Sequence, residues 1–411
     1  MKLNDKGIGT SRTLIIIAAI IAVALVAALV VMLVNSKKQT GEIASDSGTG
    51  EAVATVPVKD TESATEPETT SEPEPELPPV EYDHADNIKL TYTAGETAPE
   101  FVNPLTGLAL DSDIAGNRPA AIMINNIRVS CPQEGVGRAD VLYELLAEGG
   151  ITRLLMVVQD YSSLDVVGSV RSSRKYFIDT AQNHDAIYVH AGGSEEAYSE
   201  LSKRHIDHID GVRGGLSNVC FYRDAWRRAN MGYEHSLMTT GELIDEGVAR
   251  GGFRTELKSD YRYPFEVVAT GYTVDLEGED GKYVKITYRA ADYPEYEYNE
   301  ETGEYLRYQF QHEKHIDNST GEQLSFKNVI VLVMRHTNTG DDKSHINIQT
   351  TGSGNGYYFT NGKYIPINWS CVSDDEPMLL TDSDGNRLLL NIGKTAVNVI
   401  SPAIEESMVI N

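Results

Sequence analysis

VGSVRSSRKYFIDTAQNHDAIYVHAGGS, residues 167–194, is the stretch from which the fold is read. Within it, Ala186 to His190 is short, apolar and β-rich, the pattern of an interior strand. Ahead of that strand, Tyr176, Phe177, Ile178 and Ala181 supply the apolar side of a helix that should end near Asn183. Behind it, Gly192-Gly193 makes a tight turn, and Ser194 is suited to cap a second helix from Glu195 to about Arg204. Helix, interior strand, glycine turn and helix in succession predict an α/β unit around a buried sheet.

Working outward, Ala120–Asn126 and Leu154–Gln159 read as further buried strands, while Asp140–Leu146 fits helix or strand. Thr240 caps a short amphipathic helix that Gly251-Gly252 stops. From about Tyr263 the texture changes to alternating segments punctuated by Asp280-Gly281, Thr302-Gly303, Thr320-Gly321, Asn361-Gly362 and Asp384-Gly385. This half is expected to be predominantly β, a small barrel or sandwich, with GSGNG (352–356) as a bulge or tight turn. The expected fold class is therefore mixed α+β: an α/β first domain over 82–255 and a mainly β second domain over 262–411.

The chain before these domains reads differently. Residues 14–34 are an unbroken apolar run without charge, enough to span a bilayer. Basic residues flank it on both sides, which leans towards residues 1–13 in the cytoplasm and everything beyond the run outside. No small-residue cleavage site and no cysteine follow it, so an uncleaved signal-anchor is expected, with a cleaved signal as the alternative. Residues 35–81, including ATEPETTSEPEPELPP, cannot bury enough apolar surface to order themselves and are expected to form a disordered stalk.

The formal net charge of −26 argues against nucleic-acid binding, which needs a basic footprint, and against lying on an anionic membrane surface. Three scattered cysteines, Cys131, Cys220 and Cys371, make no disulfide framework and are expected as free buried thiols. No cofactor is expected. His205 and His208 in HIDHID invite a metal reading, but no third ligand is evident, and a polar loop is the reading adopted. DSDGN (382–386) lacks the later glycine and glutamate of a calcium loop, and a turn explains it.

The candidate chemistry is cationic. Arg171, Arg174 and Lys175 stand at i, i+3 and i+4, one face if helical, where they need an anion or nearby carboxylates. A second run holds Arg223 and Arg227, with Asp224 between them and His235 close behind. If both runs face one cleft, guanidiniums, an imidazole and aromatic walls would suit a carboxylate or phosphate on a sugar or peptide. The alternative is a buried structural network with Asp179, Asp185 and Asp224 as partners. Glu144 and Glu148 could act as an acid–base pair on a glycosidic bond, or simply pair with Arg153 or Arg171. An anion at the Gly192–Ser194 turn is disfavoured, because Glu195 and Glu196 already complement the helix dipole.

Several motifs together resemble a known family. NPLTG (103–107), RP (118–119) with MINN (123–126), AD (139–140), YE (143–144), EGGITR (148–153), VRSSR (170–174), HAGGS (190–194) and YRD (222–224) are similar to the first part of the YerB family of bacterial lipoproteins. NVIV (328–331), GSGNG (352–356), Asn361-Gly362, Trp369 and LNIGK (390–394) are similar to its second part. The resemblance implies an envelope-attached, two-domain extracytoplasmic protein and supplies no mechanism. The chain departs from the family in lacking a lipidation cysteine and in reading YEHSL (233–237) where a form closer to Pro-His-Asn is expected.

Three functions fit. The first is an envelope module that binds a cell-wall component or wall enzyme through Arg153, Arg171, Arg174, Arg223, His190, Ser194 and Glu148. The second is a hydrolase of wall glycan or peptide using Glu144 or Glu148, assisted by His190 or His235. The third is a scaffold for a partner protein in which the arginines are structural. The absence of any triad, metal set or nucleophile motif puts binding ahead of catalysis.

Overall fold

The computed structural model describes residues 80–411 apart from Asp292, so the span and most of the stalk expected above lie outside the described residues. Its centre is one 11-stranded sheet. The long strands are β1 (Ala120–Asn125), β2 (Val141–Leu146), β3 (Thr152–Val158), β4 (Ile187–His190), β5 (His208–Asp210), β6 (Asn328–Val333), β7 (Gly352–Thr360), β8 (Lys363–Cys371) and β9 (Thr395–Ile400). They lie in the order β8-β7-β6-β9-β2-β3-β1-β4-β5, with Glu279–Asp280 and Leu379–Thr381 beside β8. Strands β6, β9 and β2 run parallel, as do β1, β4 and β5. Between them β3 is antiparallel to both neighbours, so six strands end along one edge.

Both faces of the sheet's central part are covered, which is why β1, β3, β6 and β9 are buried throughout, whereas β8, towards one edge, alternates buried and exposed residues. On one face Met123, Tyr143, Leu155, Ile330 and Val397 pack with the helices α1 (Lys175–Gln182) and α2 (Glu195–Lys203). On the other, Ile122, Leu142, Met156, Val329 and Ala396 pack with α4 (Gly241–Gly251), which follows the short α3 (Ala225–Asn230). A second, 6-stranded sheet built around Glu295–Asn299 and Glu304–Gln309 covers this same face through Tyr296, Tyr305 and Phe326.

The mixed α/β architecture with a β-rich C-terminal part agrees with the expected class. The change of texture near residue 262 does not divide the core, however. The described residues all fall in one compact unit. The late strand β9 enters between β6 and β2, in register from Thr395↔Val141 to Val399↔Leu145. The separate barrel or sandwich is therefore corrected: one part of the β-rich region continues the first sheet, another forms the second, and the remaining strands pair in small two-stranded sheets.

GSGNG (352–356) is also corrected, from a turn to the first half of β7. Its glycines are close-packing sites. A Cβ on Gly354 would stand 2.6 Å from the Trp369 ring, and one on Gly356 would stand 2.4 Å from the Val331 carbonyl oxygen. Asn361 (φ 50) and Gly362 (φ 74) form the two-residue β7–β8 hairpin as expected, in the left-handed conformation that this turn demands. DSDGN is held as a turn by Asp382, which accepts from the backbone N–H of Asp384 and Asn386. Among the described residues no helix is long and apolar enough to cross a membrane.

Candidate functional site: an arginine-lined cavity at the strand ends

The edge where six strands end is where an open α/β sheet leaves backbone and loops free to build a site. Arg153, near the start of the antiparallel β3, arrives at the same edge and pairs in register with Asn125 at the end of β1. The β2–β3 connection carries Glu148, followed by Gly149 (φ 67) and Gly150 (φ 75), whose left-handed backbone folds the loop back over the edge. The third contributor is Val170–Arg174, and here the helical expectation fails. Helix α1 begins only at Lys175, and Arg174 is its extended N-cap residue (φ −135, ψ 160). The backbone of the segment is already committed elsewhere: Arg171 N–H donates to Met123 O (3.0 Å), Ala191 N–H to Arg171 O (2.9 Å) and Ser173 N–H to Gly192 O (2.9 Å). The arginines are therefore presented from an extended strip wedged between β1 and the Gly192-Gly193 turn. Lys175 leaves the cluster to pair with Asp179 (2.7 Å) and Asp374 (3.0 Å).

Glu148 is the hub. One carboxylate oxygen meets Arg153, and the other lies 2.6 Å from Arg174 Nη2 as a close ion pair without hydrogen-bond alignment. Arg153 also donates to Ser172 O (2.8 Å), and Arg174 to Ser173 O (2.6 Å). Arg171 reaches Glu234, donating to its carbonyl oxygen at 3.2 Å and its carboxylate at 3.4 Å. Arg223 donates to Tyr233 O (2.7 Å) and stacks on the Tyr233 ring at 3.8 Å. These groups line a cavity of about 290 Å³.

Arg153 and Arg174 are 2% and 8% exposed, yet the buried Nε of Arg153, Arg171 and Arg174 each lack an acceptor. Burial lowers the Arg153 pKa to about 10, with the neighbouring cations Arg174 and Arg171 adding to the effect and Glu148 opposing it. Burial alone would raise Glu148, but Arg153 and Arg174 outweigh it and hold its carboxyl below the usual range. Four guanidiniums against two carboxylates, Glu148 and Glu234, leave the lining cationic. Such a lining suits a planar oxyanion, which a guanidinium fork grips through two donors.

The remaining expected residues are distributed as follows. Ser194 caps α2, accepting from Ala197 N–H at 3.1 Å, and its Gly193–Glu196 neighbourhood borders a second cavity. His190 is fully buried beneath the site: its Nδ1 meets Gly192 O at 2.8 Å and its Nε2 meets His208 Nδ1 at 3.0 Å. Burial first, and then His208 against the pull of Asp210, lowers its pKa to about 4, so it supports the turn as a neutral ring. His235 stands at the rim with Nδ1 2.8 Å from the Asn125 amide nitrogen; burial and then Arg171 lower its pKa.

Several expected members are not brought in. Glu144 points to the opposite face of the sheet and is sealed against Arg307 at 2.6 Å, so it makes no pair with Glu148. Arg227 is buried in a structural contact with Glu134 (2.9 Å), Pro132 O and Ser130 O. Asp224 caps α3 through Arg227 N–H (2.6 Å). Asp179 serves Lys175 and Arg204, and Asp185 serves Arg254 and Arg118. All three cysteines are free; the Cys371 thiol is pushed up by burial, and its Sγ meets Ser373 O. Sequence reasoning missed Glu234 and Tyr233 as members. Their signal is the YEHSL segment itself, in which both residues directly precede His235.

Two family models match the chain: "Protein of unknown function (DUF3048) N-terminal domain" over residues 105–254 and its C-terminal domain over 284–397. The cavity residues all fall in the first. "Putative lipoprotein YerB" of Bacillus subtilis (strain 168) is 26% identical over 309 residues, 74% of this chain and 88% of the relative. The crystal structure of YerB protein from Bacillus subtilis superimposes with a TM-score of 0.63, covering 75% of this chain and 99% of that one at 26% identity. With both models matched in order and the fold shared across nearly the whole relative, the chain belongs to the YerB-like family of DUF3048 proteins.

Proposed function

We propose that this protein is a membrane-tethered, extracytoplasmic cell-envelope protein that binds an anionic group of a wall component or wall enzyme in the arginine-lined cavity. The observation that carries the reading is the state of Arg153 and Arg174: buried, converging on one carboxylate, and each with a buried Nε–H without an acceptor. Leaving a buried charged donor unpaired costs on the order of 1–3 kcal/mol, a cost a bound oxyanion would remove. A purely structural cluster would have been selected to satisfy those donors, as most buried polar groups are. The tether is the apolar run 14–34 with its N-terminus in the cytoplasm, and the stalk lifts the compact unit away from the bilayer. A relative that carries the name of a lipoprotein supports the same side of the membrane.

The test is co-sedimentation of the compact unit, residues 76–411, with purified cell-wall sacculi. Wild type and the double variant Arg171→Ala/Arg174→Ala are compared, with folding checked by circular dichroism. Wild type should sediment, and the folded double variant should remain in the supernatant. Fragments released into the supernatant would move the assignment to the hydrolase. Failure of wild type to sediment would remove direct wall binding and leave a protein partner.

A further inference from the structure

The arginine cavity does not end at Arg174. Glu148, Ser172 and Arg174 also line an adjoining cavity of about 550 Å³, so these residues stand between the two. The far walls come from both halves of the chain: the start of α2, with Glu195 and Glu196, and the loop joining His336–Asn338 to Ile346–Ile348, with Asp341, Asp342 and Lys343. Setting aside the shared Glu148 and Arg174, four carboxylates face Lys343 in this cavity, whereas three guanidiniums, Arg153, Arg171 and Arg223, face Glu234 in the first. The two chambers are of opposite sign.

The acidic groups are not equally engaged. Asp341 is taken up by its own loop, accepting from Lys343 N–H (3.1 Å) and His345 N–H (3.0 Å) and meeting the His345 ring. Glu195 pairs with Arg213 at 3.2 Å. Glu196 and Asp342 are exposed and have no ion-pair partner among the described residues. Acidic residues alone would be a solvated surface. What makes the pair of chambers a site is Arg174, which lines both, is 8% exposed and keeps a buried Nε without an acceptor.

We propose that the two cavities are one bipolar cleft whose ligand is amphoteric: a short peptide presenting a carboxylate to Arg153, Arg171 and Arg174 and a free ammonium group to Glu196 and Asp342. This rests on the anion-binding reading above and gives it a ligand class. A polyanion satisfies the arginine chamber but meets like charge in the next one, which selects against it; a ligand with both charges is complementary along the whole cleft. The shared Glu148 prevents the arginine chamber from holding a simple anion without competition, because the entering carboxylate must displace part of an existing ion pair. Binding energy from the ammonium end offsets that displacement.

The test is calorimetric titration of the full-length chain in detergent micelles with the N-terminally acetylated tripeptide Ala-Ala-Lys, whose lysine Nε is its only ammonium group, the same peptide with Nε also acetylated, its C-terminal amide and inorganic pyrophosphate. The tripeptide with free Nε should bind, and the Nε-acetylated and amidated forms should each bind about tenfold more weakly, a typical loss for one partly desolvated charge pair. Glu196→Gln/Asp342→Asn should lower affinity for the tripeptide with free Nε to that of the Nε-acetylated form and leave the Nε-acetylated form unchanged. Both substitutions are at exposed positions, so folding is not at issue. Equal binding of the peptides with free and acetylated Nε, or tighter binding of pyrophosphate than of the tripeptide with free Nε, would overturn the amphoteric ligand while leaving the anion reading intact. Sedimentation with sacculi but no binding of any peptide would do the same. Loss of both sedimentation and titration would remove the two together.

Discussion

Glu144 and Glu148 are four residues apart, and both meet arginine, but on opposite sides of the sheet and to different ends. Glu144 is 3% exposed. One of its oxygens accepts from Thr152 Oγ1 (2.6 Å) and Asn126 Nδ2 (3.0 Å), and the other from Arg307 Nη2 (2.6 Å). Arg307 spends its remaining donors on Tyr296 and on His315 Nδ1 (2.9 Å). The His315 ring, driven neutral by burial and by Arg307, then meets Gln133 Oε1 at 3.0 Å. Every member of that network is satisfied, and it stitches the two halves of the chain together. Around Glu148 the same two residue types leave three buried Nε groups without acceptors beside an open cavity. A sealed ion pair fixes the register of the fold, and an incompletely satisfied one retains capacity for a ligand.

The comparison can be broken most forcefully from the sealed side. Arg307→Met leaves Glu144 buried and unpaired and should cost about 3–5 kcal/mol in urea denaturation. If Arg153→Met costs as much, the two clusters serve the same purpose and the distinction fails. The imidazoles offer a second lever. His190, beneath the cleft, has a folded pKa of about 4 against about 6.5 unfolded. Between those values the unfolded chain binds more protons, so the contribution is complete above about pH 6.5 and is lost as pH falls towards 4. Its full extent is about 3 kcal/mol. Thermal melts from pH 7 to 4 should therefore steepen in wild type and flatten in His190→Asn, whose amide can still donate to Gly192 O; parallel profiles would show that His190 is not the titrating support. The smallest effect sharpens the comparison. Arg171→Ala removes a side chain paired only with the exposed Glu234 and should change stability by less than about 1 kcal/mol while abolishing binding to sacculi.

Much of the site was legible. The Arg171–Arg174 cluster, Arg153, Glu148 and Arg223 do converge at strand ends, because each is adjacent in sequence to a strand or turn with a strong local signature. The helical spacing of the cluster is where the structure departs. Residues 171, 174 and 175 share a face only if the helix includes them, and backbone bonds to Met123 and Gly192 hold the segment extended instead. Glu144 and Arg227 failed for a different reason. Their partners, Arg307 and Glu134, are remote in the chain, and side-chain direction in a buried strand is set by which face its neighbours occupy.

The sequence by itself determined the local pieces: the strand ending at His190, the Ser194 cap, the Asn361-Gly362 hairpin, the end of α1 and both ends of α2 and α4, and the motif set that marks the family. These depend on propensities and hydrogen bonds that close within a few residues. Only the tertiary structure decided that β9 enters between β6 and β2 to make one sheet of two textures, and that Glu148, not Glu144, faces the arginines. Strand partners and ion-pair partners such as Thr395 with Val141 and Arg307 with Glu144 are remote in the chain and are chosen by burial and packing that no local segment encodes.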